Sequence, residues 1–258
     1  MLIQIDNIKA IAFDLDGTLY YGDKVVDGAI ELVSYLKQKG INVFYFTNSS
    51  VKTRAKVYKK LLRMGFDLSI EQVYTSSYAT AIYARQKGIK NVYCIGSEGL
   101  IEELKTVGIC VTGDENQAQA VIVGLDTDFN YSKMAKALHI IRKEKCKLIA
   151  CNQDKNYPVE DDKLMPGCGP IVAAIEESCD KKVDYVVGKP NTCMLELLAK
   201  DWNLTNNEIL VVGDSYTSDI EMAKRYNCLS VLISKEERLN VNDTIVVHNI
   251  KDIKKLFE

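Results

Sequence analysis

An apolar stretch, Ile11-Ala12-Phe13, delivers two carboxylates, Asp14 and Asp16, to a point where Gly17 and Thr18 turn the chain. Side chains two apart on a strand share a face. Glycine then releases the backbone from strand geometry. Two carboxylates held this close repel one another, so a hard cation or a shared proton must offset the repulsion. Mg²⁺ suits the position because it takes carboxylate and carbonyl oxygens. A surface turn also uses Asp and Gly, but three more polar clusters follow apolar runs elsewhere: Thr47-Asn48-Ser49-Ser50, Gly188-Lys189-Pro190 and Gly213-Asp214-Ser215. Any one of them could cap a helix. Asp14 and Asp214 stand 200 residues apart, so local turn chemistry does not account for both.

Together these residue types suit phosphoryl transfer. Asp14 is placed to attack phosphorus and form an aspartyl-phosphate, dividing one hard hydrolysis into two easier steps. Asp16 is placed to protonate the leaving oxygen and later to take a proton from water. Charge on the transferring oxygens needs fixed donors. Lys189 offers a point charge, Thr47 a hydroxyl, and Asn48 with Ser49 the start of a helix, where backbone N–H groups attract phosphate. Mg²⁺ would bridge the Asp14 carboxylate, the Asp16 main-chain carbonyl and Asp214. Asp219, one helical turn beyond Asp214, would orient a metal-bound water or Lys189 from behind.

The elements that must position these groups follow from hydrophobic period. Short Val- and Ile-rich runs predict strands over 9–14, 42–46, 92–95, 120–124, 147–151, 183–187, 208–213 and 229–233. Amphipathic stretches predict helices over 28–39, 52–64, 77–87, 98–106, 131–145, 169–178, 191–202, 217–226 and 250–257. Alternation of this kind specifies a parallel sheet covered by helices, and nearly continuous apolar strands fit burial on both faces. The polar clusters end the strands over 9–14, 42–46, 183–187 and 208–213. Ligands of open parallel sheets bind outside the carboxyl ends of the strands, so these clusters can meet there. The middle of the chain alternates too but lacks strand-end carboxylates. The expected fold is α/β, a Rossmann-like doubly wound parallel-sheet core over 1–80 and 180–258, with a smaller α/β domain inserted over 81–179. Asn152 to Gly169, rich in Asp, Pro and Gly, reads as a long loop.

Composition narrows the partners. Hydrophobic residues make up 47% of the 258, charged residues 26%, and the net charge is −2, which describes an ordinary soluble domain. No broad basic patch invites nucleic acid. Lys52, Arg54, Lys56, Lys59, Lys60 and Arg63 crowd one predicted helix and read as a solvated face, with phosphate steering the weaker alternative. Eight cysteines without a CxxC pair read as buried free thiols in a reducing compartment. With two histidines and no paired ligand spacing, a zinc site is not expected. No basic-then-apolar leader and no segment of membrane-spanning length stand out, so a cytoplasmic protein that does not engage a membrane is expected.

The motifs Asp14-Leu-Asp16-Gly17-Thr18, Thr47-Asn48-Ser49, Gly188-Lys189-Pro190 and Gly213-Asp214-Ser215-Tyr-Thr-Ser-Asp219 resemble those of the haloacid-dehalogenase-type phosphatases. Asp16 argues against the dehalogenase branch, which lacks a second acid. The first motif also differs from the Asp-Lys-Thr-Gly-Thr of P-type pumps. Leu19-Tyr20-Tyr21-Gly22, Val123-Gly124-Leu125-Asp126, Phe129-Asn130-Tyr131, Asn152-Gln-Asp154 and the run from Pro166 to Glu176 resemble the NagD-like, p-nitrophenylphosphatase branch. That branch carries a C2-type α/β cap between its second and third motifs. The resemblance implies Mg²⁺-dependent hydrolysis of small phosphorylated metabolites, and a homodimer paired through the cap. It places substrate selection near Asn152, Asp154 and Tyr157, although Asn152 and Asp154 could instead hold the cap loop together and Tyr157 could be cap core. Relatives often read Thr-Asn-Asn-Ser in the second motif, where this chain has Ser49.

Two rival functions fit the same residues less well. A phosphotransferase or phosphomutase would replace water with an alcohol as acceptor. A non-catalytic sensor of phosphometabolites would have no need of the nucleophile Asp14.

Overall fold

The computed structural model describes residues 5–143, 145–158, 163–235 and 244–258. Its strands are β1 (Ala10–Asp14), β2 (Tyr20–Tyr21), β3 (Lys24–Val25), β4 (Asn42–Thr47), β5 (Val73–Thr75), β6 (Asn91–Ile95), β7 (Cys110–Val111), β8 (Ala120–Val123), β9 (Lys147–Ala150), β10 (Asn156–Pro158), β11 (Leu164–Pro166), β12 (Tyr185–Val186), β13 (Ile209–Gly213), β14 (Leu229–Ile233) and β15 (Ile245–Val247). The chain divides into two compact units. One comprises Met1–Thr47, Val57–Tyr74 and Lys189–Glu258; the other comprises Asn48–Lys56 and Thr75–Gly188.

The first unit carries a sheet of order β15-β14-β13-β1-β4-β5. β1 lies parallel to both β13 and β4, with Phe13 beside Val212 and Asp14 beside Phe46. Period-two alternation sends Ile11, Phe13, Val43, Tyr45, Leu210 and Val212 into one core, where Leu32 and Leu36 from the helix Ala29–Gln38 pack. Ala12, Phe44, Phe46 and Val211 are buried as well. A strand buried on both faces cannot show polar alternation, which is why these runs read as continuously apolar. From β1 the chain builds outward to β4 and β5, then returns to β13 on the other side. The strand order therefore reverses at β1 and β13, and this is where open α/β sheets bind ligands.

The second unit holds a parallel sheet of order β12-β9-β8-β6-β7. Its own core gathers Ile95, Val121, Val123, Ile140, Leu148 and Ile175.

Three expectations need correction. The strand read over 183–187 does not join the sheet of β1. It appears as β12 and pairs with β9, zipped by main-chain bonds from Asp184 to Leu148, Val187 to Ala150 and Gly188 to Cys151. A run that can be buried on both faces fits either sheet, so period alone cannot choose its neighbour. The stretch 152–169 is not simply a loop, since β10 and β11 form an antiparallel pair within it; its residues 159–162 lie outside the described residues. The helix expected from 191 starts two residues later, at Cys193.

The cysteines are all free, yet only Cys146, Cys151 and Cys168 are buried, and Cys110 is exposed. The short strand β7 lies at the edge of its sheet, which leaves Cys110 on the surface. Among the described residues, no helix is long and apolar enough to cross a membrane.

Candidate active site

Asp14 ends β1, and the chain turns at once. Leu15 O accepts from Leu19 N at 2.9 Å and from Tyr20 N at 3.2 Å, closing a single tight turn before the β2–β3 hairpin. Gly17 sits at φ +94°, a left-handed conformation open to glycine, and a Cβ there would collide with the Asp214 carboxylate. On the neighbouring strand, β13 ends at Gly213, where a Cβ would collide with the carboxylate of Asp219. Two glycines thus clear the room that two acids occupy.

Asp219 belongs to a π-helical turn, Tyr216–Ile220, that precedes the helix Glu221–Tyr226. Ser215 O accepts from Asp219 N at 2.9 Å and from Ile220 N at 3.3 Å. Widened turns of this kind recur at functional sites. The turn points the Asp219 side chain inward, where it is only 2% exposed.

Lys189 meets these acids. Its Nζ donates to Asp14 Oδ1 and, at 2.6 Å, to Asp219 Oδ1. The other oxygen of Asp219 accepts from Ser215 N at 3.2 Å. Asp214 is exposed, and its Oδ1 accepts from the Thr18 hydroxyl at 3.5 Å. Asp14, Asp214 and Asp219 each bring a carboxylate oxygen within 4.8 Å of the others.

The electrostatics follow from this crowding. Burial would depress the Lys189 pKa, but Asp14 and Asp219 outweigh it and hold the ammonium protonated. Burial pushes the Asp14 carboxyl well above its ordinary range; Lys189 opposes the shift, while Asp219 and Asp214 add to it. Although the residue as a whole is exposed, partial desolvation of its carboxyl group and the charge of Asp219 raise Asp214. When ionised, three carboxylates against one ammonium leave two uncompensated negative charges. An all-oxygen donor set with that excess fits a hard divalent cation.

The remaining expected site residues fall as follows. Asp16 is exposed, and its Oδ2 accepts from the Tyr20 hydroxyl at 3.3 Å. Thr47 is buried at the end of β4, one residue past the Asp14–Phe46 pairing. In the second unit, Asn48 Nδ2 donates to both oxygens of Asp154, at 3.0 and 3.2 Å. Asn48 O accepts from Asn152 Nδ2 at 2.7 Å and from the Ser76 hydroxyl at 2.6 Å, while Asp154 N donates to Asn152 Oδ1 at 3.1 Å. Asn152 and Asp154 therefore brace Asn48. Ser49 is half-buried in the same unit, and Tyr157 lies on β10 opposite Met165.

Two residues escaped the sequence reading. Tyr20 stood only in a turn motif, yet it is buried and bonds Asp16. Lys60 belongs to the helix whose basic residues suggest a solvated face. Its side chain is 14% exposed, its Nζ lies 3.9 Å from the centre of the Tyr20 ring, and it donates to Gly22 O at 2.7 Å. A lysine stem covers apolar surface as readily as it reaches water.

Comparison with known proteins agrees with this geometry. Residues 11–110 match the family described as haloacid dehalogenase-like hydrolase, and residues 186–253 match a second family of HAD-hydrolase-like proteins. The sugar-phosphatase AraL of Bacillus subtilis is 31% identical over 96% of this chain and 93% of its own. An acid sugar phosphatase of Staphylococcus haemolyticus is 35% identical over 83% of this chain and 80% of its own. The solved p-nitrophenyl phosphatase from Archaeoglobus fulgidus superposes with a TM-score of 0.89 at 27% identity, covering 96% of this chain and 99% of that one. The chain belongs to the haloacid dehalogenase-like hydrolases, in the phosphatase branch that includes the p-nitrophenyl phosphatases.

Proposed function

We propose that this protein hydrolyses small phosphomonoesters with Mg²⁺ through an aspartyl-phosphate on Asp14. The observation that carries the reading is the gathering of Asp14, Lys189, Asp214 and Asp219 at the carboxyl ends of adjacent strands. In the first step an Asp14 carboxylate oxygen attacks phosphorus. The ester P–O bond breaks, its electron pair leaves with the alcohol oxygen, and Asp16 supplies that oxygen with a proton. In the second step water attacks phosphorus, Asp16 takes its proton, and the bond from phosphorus to Asp14 breaks to release phosphate. Lys189 and Thr47 offset charge on the phosphoryl oxygens. Asp219 holds Lys189 at its post.

The carboxylates of Asp14 and Asp214 and the main-chain carbonyl of Asp16 would hold Mg²⁺. When bound, Mg²⁺ supplies positive charge against the phosphoryl oxygens and the ionised acids. We assign the unit of Met1–Thr47, Val57–Tyr74 and Lys189–Glu258 to the catalytic core and the unit of Asn48–Lys56 and Thr75–Gly188 to the cap, and substrate selection to the cap. Relatives named as sugar phosphatases, and one named glycerol-3-phosphate phosphatase, support a small phosphorylated metabolite as substrate. A homodimer paired through the cap and a cytoplasmic location belong to the same reading; sedimentation and fractionation check them. Release of p-nitrophenol from p-nitrophenyl phosphate is expected with Mg²⁺ and is expected to stop in EDTA. Equal rates in the two conditions would contradict the metal assignment.

A further inference from the structure

We infer that Tyr20 is a positioning residue for Asp16, aiming the acid at the leaving oxygen, with Lys60 fixing the hairpin from which Tyr20 projects. The inference rests on the reading of Asp16 as general acid. Asp16 lies on a turn and is exposed, so its side chain gains little from packing. Tyr20 is 3% exposed and holds it from the protein side, through the hydroxyl bond to Asp16 Oδ2 at 3.3 Å. The main chains are tied as well, since Gly17 N donates to Tyr20 O at 2.9 Å. The turn is therefore gripped at two points, one of them polar and directed at the carboxylate.

Lys60 secures the other side of the ring. Its ammonium lies 3.9 Å from the ring centre, and the same Nζ bonds Gly22 O at 2.7 Å, within the link between β2 and β3. A phenylalanine at position 20 would keep the packing and the cation above the ring. It would lose only the bond to Asp16. The hydroxyl is thus the one feature of Tyr20 that packing does not explain.

The chemistry supplies a test that separates aim from structure. A p-nitrophenolate leaves without being protonated, whereas an alkoxide needs the proton of Asp16. The quantity kcat/KM reports the steps through departure of the leaving group, whatever the rate of the later hydrolysis. Tyr20→Phe is expected to lower kcat/KM for n-propyl phosphate about tenfold more than for p-nitrophenyl phosphate, a fraction of the full contribution of general acid catalysis. A loss of equal size on both substrates, or no loss on either, would overturn the inference. Should Tyr20→Phe fail to fold, Lys60→Met tests the same hairpin with the hydroxyl intact, and must shift the ratio of the two substrates in the same direction. Failure of the unaltered enzyme to hydrolyse either ester with Mg²⁺ would instead reject the proposed function.

Discussion

The Asp214 carboxylate lies where a Cβ on Gly17 would be. The first motif thus needs a glycine for two reasons, the left-handed φ of +94° and the space that its partner acid takes. Gly17→Ala forces Asp214 away from Asp14 as well as straining the turn. The concentration of Mg²⁺ giving half-maximal activity should rise at least about tenfold, which corresponds to about 1.4 kcal/mol. Titration of p-nitrophenyl phosphate hydrolysis with Mg²⁺ measures it, and an unchanged midpoint would show that Asp214 does not hold the metal.

Lys189 separates two buried carboxylates, and its removal leaves them to repel. Breaking a buried ion pair from one side costs roughly 3–5 kcal/mol. Lys189→Met should therefore lower the stability of the metal-free protein by an amount in that range, read by urea denaturation in EDTA. Asp219→Asn should cost less, because an amide oxygen still accepts from Lys189. A Lys189→Met protein as stable as the original would mean that the acids are not ionised together.

Asp14 and Asp214 both have carboxyl groups raised above the ordinary 3.8, chiefly by loss of water around the carboxyl group. A carboxyl whose folded pKa is raised stabilises the native state fully below the unfolded value, and that contribution is lost as pH climbs through the folded value. The metal-free protein should therefore lose stability as pH rises above about 4 on account of these groups. Mg²⁺ reverses the loss by binding the ionised form. The difference in Tm between Mg²⁺ and EDTA should widen with pH, and at a hundredfold excess over Kd the gain is about 2.7 kcal/mol. Scanning calorimetry from about pH 4, the ordinary carboxyl value, up to about pH 8 checks the sign. A difference that narrows with pH would contradict the cluster.

Within the second unit, Asp154 accepts the Asn48 amide with both oxygens. A hydrogen bond to a charged group is worth about 1.5–3 kcal/mol. The single variants Asn48→Ala and Asp154→Ala and their combination should show a coupling of about 1–2 kcal/mol in denaturation. Additive losses would show that the two residues contribute separately.

The parts of the site that could be read in the sequence share one property. Asp14, Thr47 and Asp214 each follow an apolar strand, and in a parallel sheet the strand ends are level, so position along the chain becomes position in space. Lys189 was found by its company with the acids, although its preceding strand β12 belongs to the other sheet. Hydrophobic period reports whether a strand is buried and not which strand lies beside it. The β10–β11 pair was hidden because Pro158, Pro166 and the flanking acids carry the composition of a loop. Tyr20 and Lys60 were hidden for another reason. In the helix Arg54–Arg63, spacing marks Val57 and Leu61 as inward, and Lys60 lies at the border of that face. Whether its stem covers a neighbour depends on what stands opposite, here Tyr20, forty residues earlier in the chain.

The central claim is that Asp14 carries the phosphoryl group. Acid quenching during turnover of p-nitrophenyl phosphate, followed by peptide mass spectrometry, tests it most directly. The account predicts a peptide containing Asp14 heavier by one phosphoryl group (about 80 Da, the mass added when the covalent intermediate forms), together with loss of both that label and turnover in Asp14→Asn. Normal turnover by Asp14→Asn, with no phosphorylated peptide from the unaltered enzyme, would contradict it.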